Sequence, residues 1–242
     1  MKRIKTLALA CLMALSANAQ SEPGTFSVYP RLGLNISKFT KNAIFVGDPE
    51  YSGTNYMKNR YKQGINAGAE FQYQVSDNFA VSAGAMYSME GTNFTDVLYT
   101  NDNHQYEYND QKMELHYINV PLMAVGYIGE TGLAIKAGVQ LGVLLNANQS
   151  YKRVGYDKIG KEWQVNADLS GSYNESSTDM FHKLNVSIPV GVSYEFSNVA
   201  LDLRYNIGLS KLYKADLNLD YEGINKVKNS TIEFIVGYKF EL

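Results

Sequence analysis

Every second side chain near the C-terminus of this chain is apolar. From residue 232 to the end, these positions are Ile232, Phe234, Val236, Tyr238, Phe240 and Leu242, and between them lie Glu233, Ile235, Gly237, Lys239 and Glu241. A period of two is typical of a β-strand with one apolar face. With Tyr and Phe near its tip, such a strand suits a barrel whose outer face meets lipid and whose inner face is polar.

The same alternation recurs in eight segments. They span residues 25–39, 62–75, 79–93, 112–128, 133–145, 183–196, 199–209 and 232–242. In the fourth segment, residues 113, 115 and 117 are apolar on one parity and residues 118, 120, 122 and 124 on the other. A β-bulge near Tyr117 is predicted to bring both sets to the lipid face.

The connections between these segments alternate between short and long. Turns of a few residues follow the second, fourth and sixth segments, whereas the long connections span residues 40–61, 94–111, 147–182 and 213–226. This layout places all long loops at one end. The chain is therefore predicted to be all-β, an eight-stranded antiparallel transmembrane β-barrel with short periplasmic turns and long extracellular loops. A soluble lipocalin-like barrel is the alternative, but its outer face would have to be polar.

The first 19 residues read as a cleaved signal peptide, and residues 20–242 as the barrel domain. Lys2, Arg3 and Lys5 precede an apolar stretch, and Ala17-Asn18-Ala19 has the form of a cleavage site. The single cysteine, Cys11, would leave with this peptide. We therefore expect export to a bacterial outer membrane and contact with its lipid. The mildly acidic charge of −2 argues against a nucleic-acid partner.

Charged residues fall on the parity that faces the barrel interior. The predicted polar network comprises Arg31, Glu70, Lys136, Glu195, Asp202, Arg204, Glu233 and Lys239. The interior of an eight-stranded barrel is only wide enough to be filled by side chains. We therefore expect these charges to pair into a polar plug. A narrow passive channel, a small porin, is the alternative.

Two sequence stretches resemble a known family. The first is Tyr117-Ile118-Asn119-Val120-Pro121-Leu122, and the second comprises residues 191–195 followed by residues 201–209. They are similar to the PorT-like outer-membrane β-barrel family of Bacteroidota, and the resemblance covers essentially the whole mature chain. It implies an outer-membrane barrel, and some family members assist protein secretion through the type IX system. The chain departs from the family at two positions. It has Asn119 where the family often has Glu, and Val125 where the family often has Lys.

Function is expected in the long loops, because rigid barrels present variable loops. The candidate contact residues are Tyr51, Tyr56, Tyr99, Tyr106 and Trp163. Tyr and Trp are favoured at interfaces, although these rings are equally compatible with packing on one another. Alternating apolar residues after Trp163 suggest that segment 147–182 continues the neighbouring strands above the membrane.

The chain is predicted to be a non-enzymatic protein that binds partners at the surface or assists a secretion or envelope complex. It is also predicted to be a monomer. We expect no cofactor and no metal site. A lipid-modifying enzyme at the rim is a further alternative, which would use His116 or His182.

Overall fold

The structure, a computed structural model, describes residues 21–41, 45–46, 55–56, 58–100, 102–214 and 226–242. The predicted signal peptide and Tyr51 lie outside the described residues. The strands are β1 (Phe26–Phe39), β2 (Phe45–Val46), β3 (Asn55–Tyr56), β4 (Asn59–Arg60), β5 (Lys62–Ser76), β6 (Phe79–Phe94), β7 (Val97–Thr100), β8 (His104–Tyr127), β9 (Leu133–Ile159), β10 (Glu162–Ser176), β11 (Leu184–Phe196), β12 (Val199–Gly208), β13 (Asn229–Tyr238) and β14 (Phe240–Glu241). A 3₁₀ helix spans Thr178–Met180. Among the described residues, no helix has the length and apolar character needed to cross a membrane.

Eight of the described strands close into a ring. The order is β1–β5–β6–β8–β9–β11–β12–β13, and β13 returns to β1. Leu32 of β1 lies opposite Ala67 of β5 on one side and Val236 of β13 on the other. All of these pairings are antiparallel. The predicted eight-stranded antiparallel barrel is confirmed.

The outer wall of the barrel is apolar. Along β12, exposed and buried residues alternate at every position, and the exposed ones are Val199, Leu201, Leu203, Tyr205 and Ile207. The other barrel strands expose the same kinds of side chain, as Leu122 of β8 and Leu141 of β9 illustrate. Because a closed barrel pairs all its backbone groups between strands, such a wall can lie in hydrocarbon.

Short turns join the strands at one end of the barrel. Asp77 and Asn78 connect β5 to β6, and Ser197 and Asn198 connect β11 to β12. Ser197 has a φ of 52°, a left-handed conformation that some types of tight turn contain. The predicted pattern of short turns at one end is therefore present.

At the opposite end, β8 and β9 extend beyond the barrel wall. Together with β7 and β10 they form a sheet in the order β7–β8–β9–β10, which we call the outer sheet. Gly160, with a φ of 67°, forms the tight turn between β9 and β10. The suggestion that segment 147–182 continues both neighbouring strands is correct for β9 only, because β11 begins at Leu184 and β10 is a separate strand that pairs with β9. The segment 94–111 is not a loop throughout, because it contains β7 and the start of β8.

The predicted bulge has a different location from the one expected. The register between β8 and β9 shifts between His116 and Tyr117, but the extra residue is Leu145 of β9. The alternation of β8 is unbroken from Gln111 onward, so Met113, Leu115 and Tyr117 point inward and are buried. The prediction that these three face lipid is wrong. Their side chains instead pack in an apolar cluster inside the barrel.

This interior cluster closes the end of the barrel that carries the long connections. We call it the apolar cap, and its buried members are Phe39, Phe94, Val97, Met113, Leu115, Tyr117, Leu144, Ala147, Phe181, Leu212, Tyr213 and Val227. Phe181 packs on Tyr213 with ring centroids 4.7 Å apart, and Phe39 meets the Tyr213 ring edge-on at 6.2 Å. Dense packing of this kind leaves little room for water. The interior is therefore polar in its middle and apolar at this mouth.

Candidate functional site

Five of the predicted interior charges meet in one cluster near the middle of the barrel. Arg204 of β12 reaches Glu70 of β5 with two contacts, Nη1–Oε1 at 2.5 Å and Nη2–Oε2 at 3.0 Å. Arg31 of β1 lies 3.2 Å from the same carboxylate through Nε, and it also pairs with Asp202. Lys136 Nζ donates to Asp202 Oδ1 at 2.7 Å. We call Arg31, Glu70, Lys136, Asp202 and Arg204 the central ion cluster.

Two other predicted interior residues form a separate pair nearer the short turns. Lys239 Nζ lies 2.6 Å from Glu195 Oε1, and the Tyr29 hydroxyl donates to Glu195 Oε2 at 3.2 Å. Glu233 is also buried and lies opposite Arg204 in the β12–β13 register. No described basic side chain comes within ion-pair distance of the Glu233 carboxylate. The eight predicted residues are thus all interior, but they do not form a single network.

The sequence prediction overlooked Glu90, which is a buried carboxylate of β6. It accepts hydrogen bonds from Ser88 at 2.8 Å, Asn119 at 2.9 Å and Thr231 at 3.1 Å, and also from Asn229. Buried polar groups are stable when their hydrogen bonds are satisfied in this way. The strict alternation of β6 contained the information, because Glu90 has the opposite parity to the outward-facing Tyr87.

These layers fill the barrel from one end to the other. Above the Glu90 cluster lies the apolar cap, and below it lie the central ion cluster and the pair of Lys239 with Glu195. Charged side chains that pair across an interior this narrow hold the wall together. The described interior is therefore occupied by paired charges and packed apolar side chains.

The outer sheet carries a second cluster of side chains, outside the barrel interior. Five half-buried tyrosines share one of its faces with Arg153, namely Tyr99 of β7, Tyr106 and Tyr108 of β8, Tyr151 of β9 and Tyr173 of β10. We call this surface the tyrosine face. Tyr99 has the same parity in β7 as Val97, a member of the apolar cap. The tyrosine face therefore continues upward from the capped mouth.

The rings of the tyrosine face contact one another in two groups, Tyr99 with Tyr106, and Tyr108 with Tyr151 and Tyr173. The Tyr151 and Tyr173 rings stack with centroids 4.9 Å apart and an interplanar angle of 16°. Tyr108 lies 5.9 Å from Tyr151, and Tyr99 stacks on Tyr106 at 6.3 Å. Such pairs fix the orientation of each ring.

Arg153 links the strands of this face. Its guanidinium carbon lies 4.9 Å from the centroid of the Tyr173 ring and 5.7 Å from that of Tyr106. Its Nη2 donates to the Tyr173 hydroxyl at 2.6 Å, and its Nε donates to the carbonyl of Leu169 at 2.9 Å. A cation held over two aromatic rings is a favourable arrangement. The middle and the C-terminal part of β10 are thereby tied to β9.

Burial within the sheet raises the pKa of two tyrosines of this face. For Tyr108 desolvation is the main cause and the charge of Arg153 opposes it, whereas for Tyr151 the carboxylate of Glu175 adds to the effect of burial. Both hydroxyls consequently stay protonated at neutral pH and remain available as hydrogen-bond donors.

A polar cleft of about 580 Å³ adjoins this face. Its lining includes Tyr151 and Tyr173 together with charged residues of both signs, namely Arg60, Asp96, Asp110, Lys112 and Lys152. Asp110 and Lys152 are paired at 2.6 Å. The side chain of Lys152 lowers the pKa of Asp110, first by hydrogen bonding and then by its charge.

Two of the predicted contact residues come together in the described part of the chain. Tyr99 and Tyr106 are stacked within the tyrosine face. Trp163 lies on the opposite face of the outer sheet, where Lys158 Nζ is 5.8 Å from its ring centroid. Tyr56 belongs to β3, which pairs with β2 outside the barrel sheet. Tyr151 and Tyr173 were missed as candidates, although their strand-like spacing is visible in the sequence.

The two rim histidines lie on different parts of the barrel. The Nδ1 atom of His116 is 2.7 Å from the Tyr87 hydroxyl, whereas His182 precedes β11 and is exposed. No group of three or more His, Cys, Asp or Glu side chains in the described part of the chain is arranged to hold a metal ion. The absence of enzymatic activity and of a cofactor remains a prediction.

Comparison with known proteins identifies the type of barrel. The sequence model of the family described as outer membrane protein beta-barrel domain matches residues 18–214. No curated protein sequence matches the chain. Similar solved structures include Ail, the attachment invasion locus protein of Yersinia pestis, in complex with the heparin analogue sucrose octasulfate. It is 16% identical with a TM-score of 0.39, and the match covers 90% of this chain and 99% of Ail.

Two further solved structures have comparable likeness. Neisserial surface protein A is 13% identical with a TM-score of 0.40, and the match covers 88% of this chain and 97% of that protein. OprG from Pseudomonas aeruginosa is 12% identical with a TM-score of 0.36, covering 92% and 98% respectively. At these identities the likeness concerns the fold only.

Proposed function

Because this chain belongs to the outer membrane protein beta-barrel domain family, we propose that it is a non-enzymatic anchor that presents the tyrosine face to a protein partner outside the cell. The chain is an integral protein of the bacterial outer membrane, embedded in its lipid. The barrel supplies a rigid base, and the outer sheet supplies the contact surface.

The observation that carries this proposal is the convergence of five tyrosines and Arg153 on one ordered face. Tyr and Arg are the residue types that dominate protein interfaces. The stacked rings and the hydrogen bonds of Arg153 hold this face in one arrangement before any partner arrives. Preorganisation of this kind reduces the entropy that binding would otherwise lose.

The filled interior supports an anchor over the alternative of a narrow channel. A solute would have to pass the apolar cap and then displace the paired charges of the central ion cluster. Separating buried charges costs several kcal/mol, about 3–5 for one pair. The rim-enzyme alternative gains no comparable support, since His116 contacts Tyr87 and His182 lies on a different part of the rim.

Site-specific photo-crosslinking in native cells tests the proposal. A photoreactive phenylalanine analogue replaces Tyr106 on the tyrosine face or, as a matched control, Val165, which is exposed on the opposite face. We expect one dominant protein adduct from position 106 and none from position 165. Equal adducts from both positions, or no adduct from position 106, would contradict the proposal.

The resemblance to PorT-like barrels leads us to propose more narrowly that the partner belongs to a secretion or envelope complex. Residues 117–122 and 191–195 support this narrower assignment. The adduct from position 106 should then contain a subunit of the secretion machinery, and deletion of the gene should reduce export of type IX cargo. If the adduct contains an unrelated surface protein and cargo export is normal, the secretion role is excluded and the surface-binding role still stands.

A further inference from the structure

A cationic groove lies on the outside of the barrel at the end that carries the long connections. It has a volume of about 490 Å³ and is lined by His182, Lys183, Leu184, Ser210 and Lys211. We call it the rim groove. From this groove we infer a binding site for the phosphate of an outer-leaflet lipid headgroup, independent of the tyrosine face.

The height of the rim groove matches the headgroup region. The lipid-facing residues of β12 run from Val199 to Leu209, and the next two residues are Ser210 and Lys211. At about 3.3 Å per residue and a tilt of about 40°, this run rises about 25 Å, which is the height of the apolar band of such barrels. Ser210 and Lys211 therefore begin where the hydrocarbon ends.

The same boundary is present on the neighbouring strand. Leu184, the first residue of β11, is an exposed apolar residue at the top of the wall, with 66% of its surface accessible. Lys183 and His182 precede it and are exposed. The groove thus has an apolar floor suited to an acyl chain and a basic upper part suited to an anion.

Buried neighbours hold the two basic segments in place. Phe181 and Tyr213 pair as an isolated bridge, and both side chains are buried in the apolar cap. The backbone nitrogen of His182 donates to the carbonyl of Leu212 at 2.8 Å, and that of Lys214 donates to the carbonyl of Met180 at 3.0 Å. Lys183 and Lys211 therefore extend from a fixed frame.

Ser210 adds a hydrogen-bonding group between the lysines. Its Oγ accepts the backbone N–H of Val186 at 2.9 Å, and its own O–H can still donate. Among the described residues, no carboxylate lies within ion-pair distance of Lys183 or Lys211. Two ammonium groups and a hydroxyl beside an apolar floor are complementary to a lipid phosphate, and each such lysine strengthens attraction to an anionic surface.

The experiment uses the full barrel in detergent and measures the lipid bound to it by native mass spectrometry. The probes are lipid A with both phosphates and the same lipid A after enzymatic dephosphorylation. The test variant is Lys183→Gln with Lys211→Gln. The matched control is Lys41→Gln with Lys161→Gln, two exposed lysines outside the groove, which removes the same charge.

We expect wild type and control to bind phosphorylated lipid A at least tenfold more tightly than the dephosphorylated form. The test variant should lose this preference, with affinity for the phosphorylated lipid reduced about ten- to thirtyfold. An equal loss in the test and control variants would overturn the site, since general charge would then explain binding. Displacement of lipid A by millimolar inorganic phosphate would also overturn it, because the lipid would not be the preferred source of phosphate.

Discussion

Arg204 and Glu70 face each other across the barrel interior and form a two-pronged ion pair, with contacts of 2.5 and 3.0 Å. The two residues come from β12 and β5, which are not neighbours in the ring. A planar guanidinium matches a carboxylate in this geometry better than any other side chain does. The pair therefore ties opposite walls of the barrel together.

The first prediction concerns Glu70→Gln, which leaves Arg31 and Arg204 without the carboxylate that they share. We expect the free energy of unfolding to fall by about 3–5 kcal/mol, because buried charges lose their partner. Urea titration in lipid vesicles, followed by the gel shift of the folded barrel, measures the change. Glu162→Gln, at the exposed start of β10, should change stability little. A loss of less than about 1 kcal/mol for Glu70→Gln would contradict the role of the pair.

The second prediction concerns the apolar cap. Phe181→Ala should destabilise the barrel by about 3–5 kcal/mol, since Phe181 is fully buried in the cap. Leu209→Ala, on the lipid-exposed wall, should cost less. Liposome swelling should detect no sugar flux in wild type or in Phe181→Ala, because the central ion cluster still fills the lumen. Swelling with the wild-type protein would favour the channel alternative.

The third prediction concerns Arg153→Lys. Lysine keeps the charge but loses the paired hydrogen bonds to Tyr173 and to the carbonyl of Leu169. Amide hydrogen exchange in β10 should become at least tenfold faster, which corresponds to about 1.4 kcal/mol or more. Exchange in β12 should be unchanged. In the control variant, Arg60→Lys, exchange should match that of the wild type in every strand. Unchanged protection of β10 would show that Arg153 does not hold the hairpin.

The fourth prediction concerns the exposed pair of Asp110 and Lys152. Lys152 lowers the pKa of Asp110 below its ordinary value of 3.8, and Asp110 raises the pKa of Lys152 above 10.5. A depressed carboxylate pKa stabilises the fold above about pH 4, and this stabilisation is lost as the pH falls through the folded-state value. The raised pKa of Lys152 stabilises the fold below about pH 10.5, and this stabilisation is lost as the pH rises through the folded-state pKa of Lys152. NMR titration of the Asp110 carboxyl should give a higher pKa in Lys152→Gln, and an unchanged pKa would contradict the pairing.

Much of the barrel could be predicted from local pattern. In β12 the period-two alternation assigned Leu201 and Leu203 to the outer wall and Asp202 and Arg204 to the interior, and the structure places them so. Strand periodicity is local and survives any choice of partner. Short turns such as Asp77-Asn78 are equally visible, because their residue types favour turns.

The same rule failed where the interior changes its character. Met113, Leu115 and Tyr117 are apolar, and the rule predicts that apolar residues of a membrane barrel face lipid. They face inward because the apolar cap gives them an interior to occupy. Hydrophobicity alone cannot separate a lipid-facing residue from one in an apolar core, since both environments exclude water.

The sequence by itself determined the eight barrel strands, most of their inner and outer faces and the membrane setting, because these depend on alternation within a few residues. Tertiary structure alone decided which side chains meet. Arg204 meets Glu70 because the ring closes, and Tyr173 stacks on Tyr151 because β10 folds back on β9. The rim groove likewise joins Lys183 and Lys211 from separate segments. Such contacts depend on strand order and register, which are set by the closure of the whole barrel.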